Sequence, residues 1–248
     1  MGFLDNLFGG DKPTQKNIEK LVVRVKERYA QPEYRREAMD KLLAMATPEA
    51  ITAVLARFTV VAQSPHWDEE EKRWLVDQLS SLGEPARAAL LVFLKKTDHI
   101  AFAAKALQRL TTPEQHVADL IACLSARPPE DHRSTQGKAE LVAALADTND
   151  ARAHDAVVPY LDDHSDDVRC ATVDALEKLW ALPGDKSKAE ERLRAAVADD
   201  GRSARVLRHT ASAMHRLGVA LDPTKPLPPA VAEDFVVKDG KLQPAHAA

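Results

Sequence analysis

Residues 156–179 read AVVPYLDDHSDDVRCATVDALEKL, and this stretch holds two amphipathic helices together with the joint between them. In its first half Val157, Val158 and Leu161 share one helical face, and Pro159 lies inside the segment. A proline there removes a backbone donor, so the first helix is expected to kink or shorten. It stops at Asp162, Asp163 and His164, residues that favour turns through local side-chain hydrogen bonds. Ser165 stands where the second helix needs an N-cap, and Asp166 and Asp167 fall in its first turn, where the helix dipole favours negative charge. Val168, Ala171, Ala175, Leu176 and Leu179 then recur at helical spacing. One stripe therefore faces a neighbour and the opposite side meets water.

The pattern resembles a HEAT repeat, with Pro159, Asp163, Val168, Arg169, Ala171, Ala175 and Leu176 at the family's positions. The resemblance implies an all-α fold, a right-handed alpha-alpha superhelix of the armadillo-like solenoid type, in which second helices line the concave face. It also implies a ladder between adjacent repeats built from the turn aspartate and the arginine, giving Asp163 and Arg169 a structural role. A partly exposed pair of that kind contributes about 1 kcal/mol or less.

Working outward, weaker copies of the unit fill residues 14–218, about six helical pairs in all. Thr14 opens a helix with Ile18, Leu21, Val22 and Val25 on one face, and Gln31 and Pro32 break it. The partner helix sets Tyr34 and Arg35 where the clear repeat has Val168 and Arg169, with Met39, Leu42 and Met45 continuing the stripe. Thr47 and Pro48 signal a capped start before Ile51, Val54, Leu55 and Phe58; an acidic first turn, Asp68 to Glu71, then precedes Trp74, Leu75, Leu79 and Leu82. Gly83 and Pro85 introduce Leu90, Leu91 and Leu94, followed by Ile100, Ala103, Ala104, Leu107 and Leu110. The fourth pair runs from Thr112 and Pro113, where Gln115 suits a capping box, through Val117, Leu120, Ile121 and Leu124. It crosses the polar interruption RPPEDHRSTQ and resumes at Leu141, Ala144 and Leu145. In the sixth, Ser187 and Glu190 suit a capping box ahead of Leu193, Ala196 and Val197, and the second helix carries Val206, Thr210, Ala213, Met214 and Leu217. Leu207 replaces the ladder arginine there, with Arg205 and Arg208 as substitutes.

The two ends differ from the repeats. Residues 1–13 place Phe3, Leu4, Leu7 and Phe8 on one side of a short amphipathic segment closed by Gly9 and Gly10. It reads as a tail or a hydrophobic cap on the first repeat, or as a weak membrane contact, since burial of those side chains is offset by the cost of ordering the segment. Asn6 departs from the myristoylation pattern that Gly2 suggests. Residues 219–248 begin with a proline-rich connector, and Asp239 and Gly240 then form the strongest two-residue signal for a β-hairpin. The hairpin is expected to cap the last helices through Phe235, Val237 or Leu242, with edge-strand pairing to a partner as the alternative.

With 248 residues the chain is long enough for a stable core, and its formal charge of -4 argues against broad attraction to nucleic acid or anionic lipid. The two cysteines, Cys123 and Cys170, lie in helical patterns without metal-ligand spacing. The absence of a signal-peptide pattern or a spanning apolar run makes the cytoplasm the expected location. Nine histidines form no helical zinc clamp, and no phosphate loop or nucleophile elbow occurs. The acidic turn around His164 suits divalent cations in charge, but its aspartates are accounted for by the repeat pattern. No metal, cofactor or catalytic residue is therefore expected.

Following the resemblance, the outward positions of the second helices form the expected partner-binding strip: Arg36 and Asp40, Lys105 and Arg109, Asp174 and Lys178, Ser212 and Arg216. Mixed charge suits a protein surface better than a polyanion. A basic patch at Arg202, Arg205 and Arg208 follows the acidic fifth repeat, so charge is expected to segregate along the chain. The expected function is a non-enzymatic, monomeric protein–protein interaction scaffold. The alternatives are a nucleic-acid enzyme resembling helical-repeat alkylpurine DNA glycosylases, for which the acidic total is unfavourable, and a phycobilin lyase-like enzyme, for which no chromophore-handling signature is seen.

Overall fold

The computed structural model describes residues 14–222 and 224–245. Among these the chain is mostly helical, with thirteen α-helices and one two-stranded antiparallel sheet. The segment with Phe3, Leu4, Leu7 and Phe8 lies outside the described residues. Contacts divide the chain into two compact units, one ending at Thr112 and the other beginning at Pro113, where the sequence suggests one repeat domain over residues 14–218.

The first unit contains α1 (Gln15–Val25), α2 (Pro32–Met45), α3 (Pro48–Val54), α4 (Pro65–Ser80), α5 (Glu84–Leu94) and α6 (Ala101–Leu110). The Thr14 and Thr47 hydroxyls accept the Asn17 and Ala50 amide hydrogens at 3.3 Å, which satisfies orphan donors of the first turn. Gly83, at φ +65, turns the chain into α5. Odd-numbered helices pack on one another, α1 on α3 and α3 on α5, and so do even-numbered ones, α2 on α4 and α4 on α6. First and second helices of each pair thus form separate layers within this unit. Leu21, Val25, Leu42, Ile51, Val54, Leu75, Leu79, Leu90, Leu94 and Leu107 fill the space between them. Each such burial contributes about 1.5–3 kcal/mol. Tyr34, expected on the buried stripe, is 45 % exposed, and its neighbour Arg35 is buried instead.

The second unit contains α7 (Pro113–Ser125), α8 (Thr135–Asp147), α9 (Ala151–Val157), α10 (Asp166–Leu179), α11 (Ser187–Val197), α12 (Ala204–Leu217), α13 (Pro229–Ala232), β1 (Phe235–Lys238) and β2 (Lys241–Pro244). Here too α7 packs on α9, α8 on α10 and α10 on α12. The helix before Pro159 does shorten, and tightens into a 3-10 turn over Val158–Asp162. The same tightening over Leu55–Thr59 contains no proline, so the proline accompanies this joint without being required for it. In α10, Thr172 is buried and its hydroxyl bonds back to the Val168 carbonyl at 2.8 Å, while Ala171 is only half-buried.

Two local expectations need correction. Ser165 occupies the N-cap position of α10 but makes no capping bond; Asp163 Oδ1 accepts the Ser165 amide hydrogen at 2.9 Å. The Ser187 and Glu190 box does not form either. Asp185 takes both the Ser187 amide and hydroxyl hydrogens, and Glu190 pairs with Arg194. An aspartate two residues ahead competes for the same donors through an Asx turn.

The hairpin forms as the turn chemistry requires. Asp239 and Gly240 have φ of 52° and 71°, the signature of a type I′ turn, with Lys238 opposite Lys241 and Phe235 opposite Pro244. It packs on α12, burying Leu242 and Phe235. His215 Nδ1 lies 2.8 Å from the Leu242 carbonyl oxygen, and the Leu221 amide donates to the Gly240 carbonyl at 2.6 Å. The one-turn helix α13, which begins at the last proline of the segment expected to be an extended connector, packs on α12 as well. No described helix is long and apolar enough to cross a membrane.

Candidate functional site

The outward residues of the second helices are joined by ion pairs that cross from one second helix to the next. In the first unit, Arg109 on α6 pairs with Asp77 on α4. Arg36 on α2 lies with its guanidinium carbon 3.2 Å from the Trp74 ring centre of α4, and its Nε is 4.0 Å from Asp40 Oδ1. Partial burial lowers the Arg36 pKa, and Asp40 opposes that shift. Lys105 reaches over the ring of Phe102 at 5.3 Å.

In the second unit, Lys178 on α10 pairs with Asp147 at the end of α8. Asp174 lies 2.7 Å from His209 Nε2 of α12. Arg216 of α12 holds Glu177 of α10 through two hydrogen bonds, one at 2.9 Å, which draw the Glu177 carboxyl below its ordinary range. Ser212 is half-buried. Of the residues expected to form the strip, Arg109, Asp174, Lys178 and Arg216 make cross-helix polar pairs, mostly exposed, each contributing little to stability. They offer a regularly spaced polar surface.

The expected basic patch is spent on internal partners. Arg202 is largely buried and donates to the Leu161 carbonyl at 2.6 Å and to Asp162 at 2.7 Å. Arg205 pairs with Asp167 at 2.6 Å. Arg208 holds the Ala230 carbonyl, Glu233 and Asp234 of the C-terminal segment. Each of the three arginines of the expected patch therefore has a carboxylate beside it, with Arg205 and Arg208 remaining exposed.

Two buried charge clusters were foreseen only in part, through the ladder positions of Arg35 and Asp163. In the first unit Arg35 donates to Glu71 at 2.8 and 2.9 Å, and Arg57 donates to Glu71 at 2.8 Å and to Asp68 at 2.6 Å. Lys72 completes the group at 2.7 Å from Asp68. Burial alone would raise the Asp68 pKa, but Lys72, the Ala62 amide and Arg57 together bring it below the ordinary value. In the second unit Lys138 and Asp163, both fully buried, form an ion pair, and Lys138 also donates to the Asp131 carbonyl at 2.7 Å. Asp163 thus pairs across repeats with Lys138 and not with Arg169, which bonds to Asp166 within its own helix at 3.1 Å. The signal was positional: Arg35, Lys138 and Arg169 are each the fourth residue of their helix.

The remaining polar groups suit structure better than chemistry. Tyr160, which the sequence left unassigned, donates to the Leu124 and Arg127 carbonyls at 2.7 and 3.1 Å, and burial pushes its phenol pKa up. Among the described residues no group of three or more His, Cys, Asp or Glu could hold a metal ion. Cys123 and Cys170 are buried and form no disulfide, and burial raises the Cys170 pKa away from reactivity. A cleft of about 310 Å³ lies between α11 and the connector, with Val197, Leu221 and Pro226 in its walls, and a groove of about 700 Å³ runs between α1 and α3. Neither collects an acid–base pair or a nucleophile with its base.

No protein-family model, curated protein or solved structure matches the chain.

Proposed function

We propose that this chain is a HEAT-like helical-repeat protein, a right-handed superhelix that binds a protein partner along the outward residues of its second helices and catalyses no reaction. Support for the repeat architecture comes from the separate layering of odd and even helices within each unit. The observation that carries the binding reading is the succession of exposed pairs joining second helices: Asp77 with Arg109, Asp147 with Lys178, and Glu177 with Arg216. Pairs of both signs complement a folded protein surface with its own mixed charge, and exposed ion pairs can exchange partners at small cost. A nucleic-acid backbone would call for an excess of cations, and Arg202, Arg205 and Arg208 of the basic patch each have a carboxylate beside them.

The test is affinity capture from native lysate with the intact chain and with a variant carrying Lys105→Glu, Arg109→Glu, Lys178→Glu and Arg216→Glu. A partner captured by the intact chain and lost from the variant, with the helical circular-dichroism signal unchanged, is the expected result. Equal capture by both would remove the strip as the binding surface.

A further inference from the structure

Helix α1 is covered less completely than its sequence asks. Ile18, Leu21 and Val25 are buried, but Val22, on the same apolar face by helical spacing, is only half-buried, and Val23 beside it is 68 % exposed. Opposite them on α3 stand Pro48, which is exposed, and Ala53, which is half-buried. With Ile18 these residues line the groove of about 700 Å³ between the two helices. Its α1 wall runs from Gln15 to Val23, about 12 Å along the helix axis.

The charges in this lining are carboxylates, Glu19 and Glu49, and no described lysine or arginine joins them. Gln15 donates to Glu19 at 2.9 Å. Two carboxylates repel an anionic lipid surface or an acidic peptide over several ångströms at physiological salt. What fits the groove is a short apolar segment that turns no negative charge towards it.

The chain carries such a segment at the groove's own edge. Thr14 caps α1 and Gln15 lines the groove, and residues 1–13 run directly into them. Phe3, Leu4, Leu7 and Phe8 share one side at helical spacing, and Asp5 and Asn6 fall on the other. As a helix, residues 3–8 would span about 9 Å, within the length of the groove. Residues 9–13, which include Gly9 and Gly10, reach about 17 Å when extended. Packed helix axes stand about 8–10 Å apart. The connection is therefore long enough to reverse the chain and lay the apolar side back along α1 and α3.

We infer that residues 1–13 of this chain dock in the groove between α1 and α3, with Phe3, Leu4, Leu7 and Phe8 against Val22, Val23, Pro48 and Ala53. The contact is a helix-in-groove one, made within one chain and separate from the second-helix strip. A short tether holds the segment at about millimolar effective concentration. That exceeds the concentration of a free partner or a second copy in dilute solution, so the chain's own segment covers the groove first.

The experiment measures the rate of maleimide labelling on the full chain at single introduced cysteines. Val23→Cys and Thr52→Cys report on the two walls, and Val92→Cys, at a position 51 % exposed on α5, is the control. The native Cys123 and Cys170 are buried, and the parent chain supplies their background. From exposure alone Val23→Cys should react at least as fast as Val92→Cys. Docking is expected to make both wall cysteines react about ten-fold more slowly than the control. Adding Leu4→Asp and Phe8→Asp restores their rates and leaves that of Val92→Cys unchanged, which also shows that the fold is kept. Wall cysteines as reactive as the control, or shielding that survives the two aspartates, would overturn the inference. So would shielding that deepens with protein concentration, which assigns the groove to a second copy. Shielding that needs added phosphatidylcholine–phosphatidylserine vesicles would overturn it in favour of a membrane.

Discussion

Lys138 and Asp163 are the residues on which the second unit's internal geometry most directly depends. Both are fully buried, 25 positions apart, and joined as an ion pair. Asp163 also caps the turn through the Ser165 amide, and Lys138 also anchors the Asp131 carbonyl of the loop before α8. Removing one member leaves the other charge buried without its counterion, which typically costs about 3–5 kcal/mol. Lys138→Met or Asp163→Asn is therefore expected to lower unfolding free energy by about 3 kcal/mol in urea titrations. The double variant Lys138→Met, Asp163→Asn should lose less than the sum of the single variants. Additive losses would show that the two residues act separately. The sequence singled out Asp163 by its place in the turn, as one half of a ladder between neighbouring helical pairs, but did not name Lys138 as its cation. Arg169 lies nearest in sequence, but Asp163 reaches back to the preceding second helix and finds Lys138.

Among the elements, the C-terminal hairpin has the least internal support. A lone two-stranded ribbon is marginal in water, and this one is held by α12 through buried Leu242 and Phe235, by His215, and by the bond from Leu221 to Gly240. Gly240 has φ +71, and a Cβ there would stand 3.5 Å from the Leu221 carbonyl oxygen. Gly240→Ala is expected to cost about 1–2 kcal/mol from the left-handed backbone alone. Leu242→Ala should cost about 2–5 kcal/mol, as a buried leucine truncated on a packed helix. Thermal unfolding of both variants checks the pair. A Leu242→Ala protein as stable as the parent would mean that the hairpin contributes nothing to the packing of α12.

At the scale of the whole molecule, stability is expected to fall with acidification in two stages. Glu37 is drawn down to about 2 by Lys41 and Arg24. Glu177 is lowered by Arg216, Asp185 by the Ser187 amide, and Asp68 by its partners against burial. A carboxylate with a lower pKa folded than unfolded contributes its full share above the unfolded value, near 4, and loses it as pH falls through the folded value. His116 acts over a higher range. Burial lowers its pKa, so below the unfolded value of about 6.5 the unfolded chain binds a proton that the folded chain refuses. Urea midpoints should be flat above pH about 7, decline gently towards 5 and drop steeply below 4. His116→Gln should abolish the gentle decline and leave the steep one. A parent protein with equal midpoints at pH 7 and 5 would contradict the His116 contribution.

Element boundaries and hairpin were legible from the sequence because their causes act within a turn or two of backbone. Thr14 and Thr47 cap the helices that follow them, prolines occupy first turns, the apolar stripes recur at helical period, and Asp239 with Gly240 can hardly form anything but a tight turn. The outward strip was legible for the same reason, since residues opposite a buried stripe must face outward. Which charges neutralise which was decided only by tertiary packing. Arg35 finds Glu71 at a separation of 36 residues, and Arg202 finds the Leu161 carbonyl at 41, distances over which periodicity carries no information. Packing of one helical pair on the next brings those residues together. It thereby set a carboxylate beside each arginine of the expected basic patch and buried Arg35 where Tyr34 was expected.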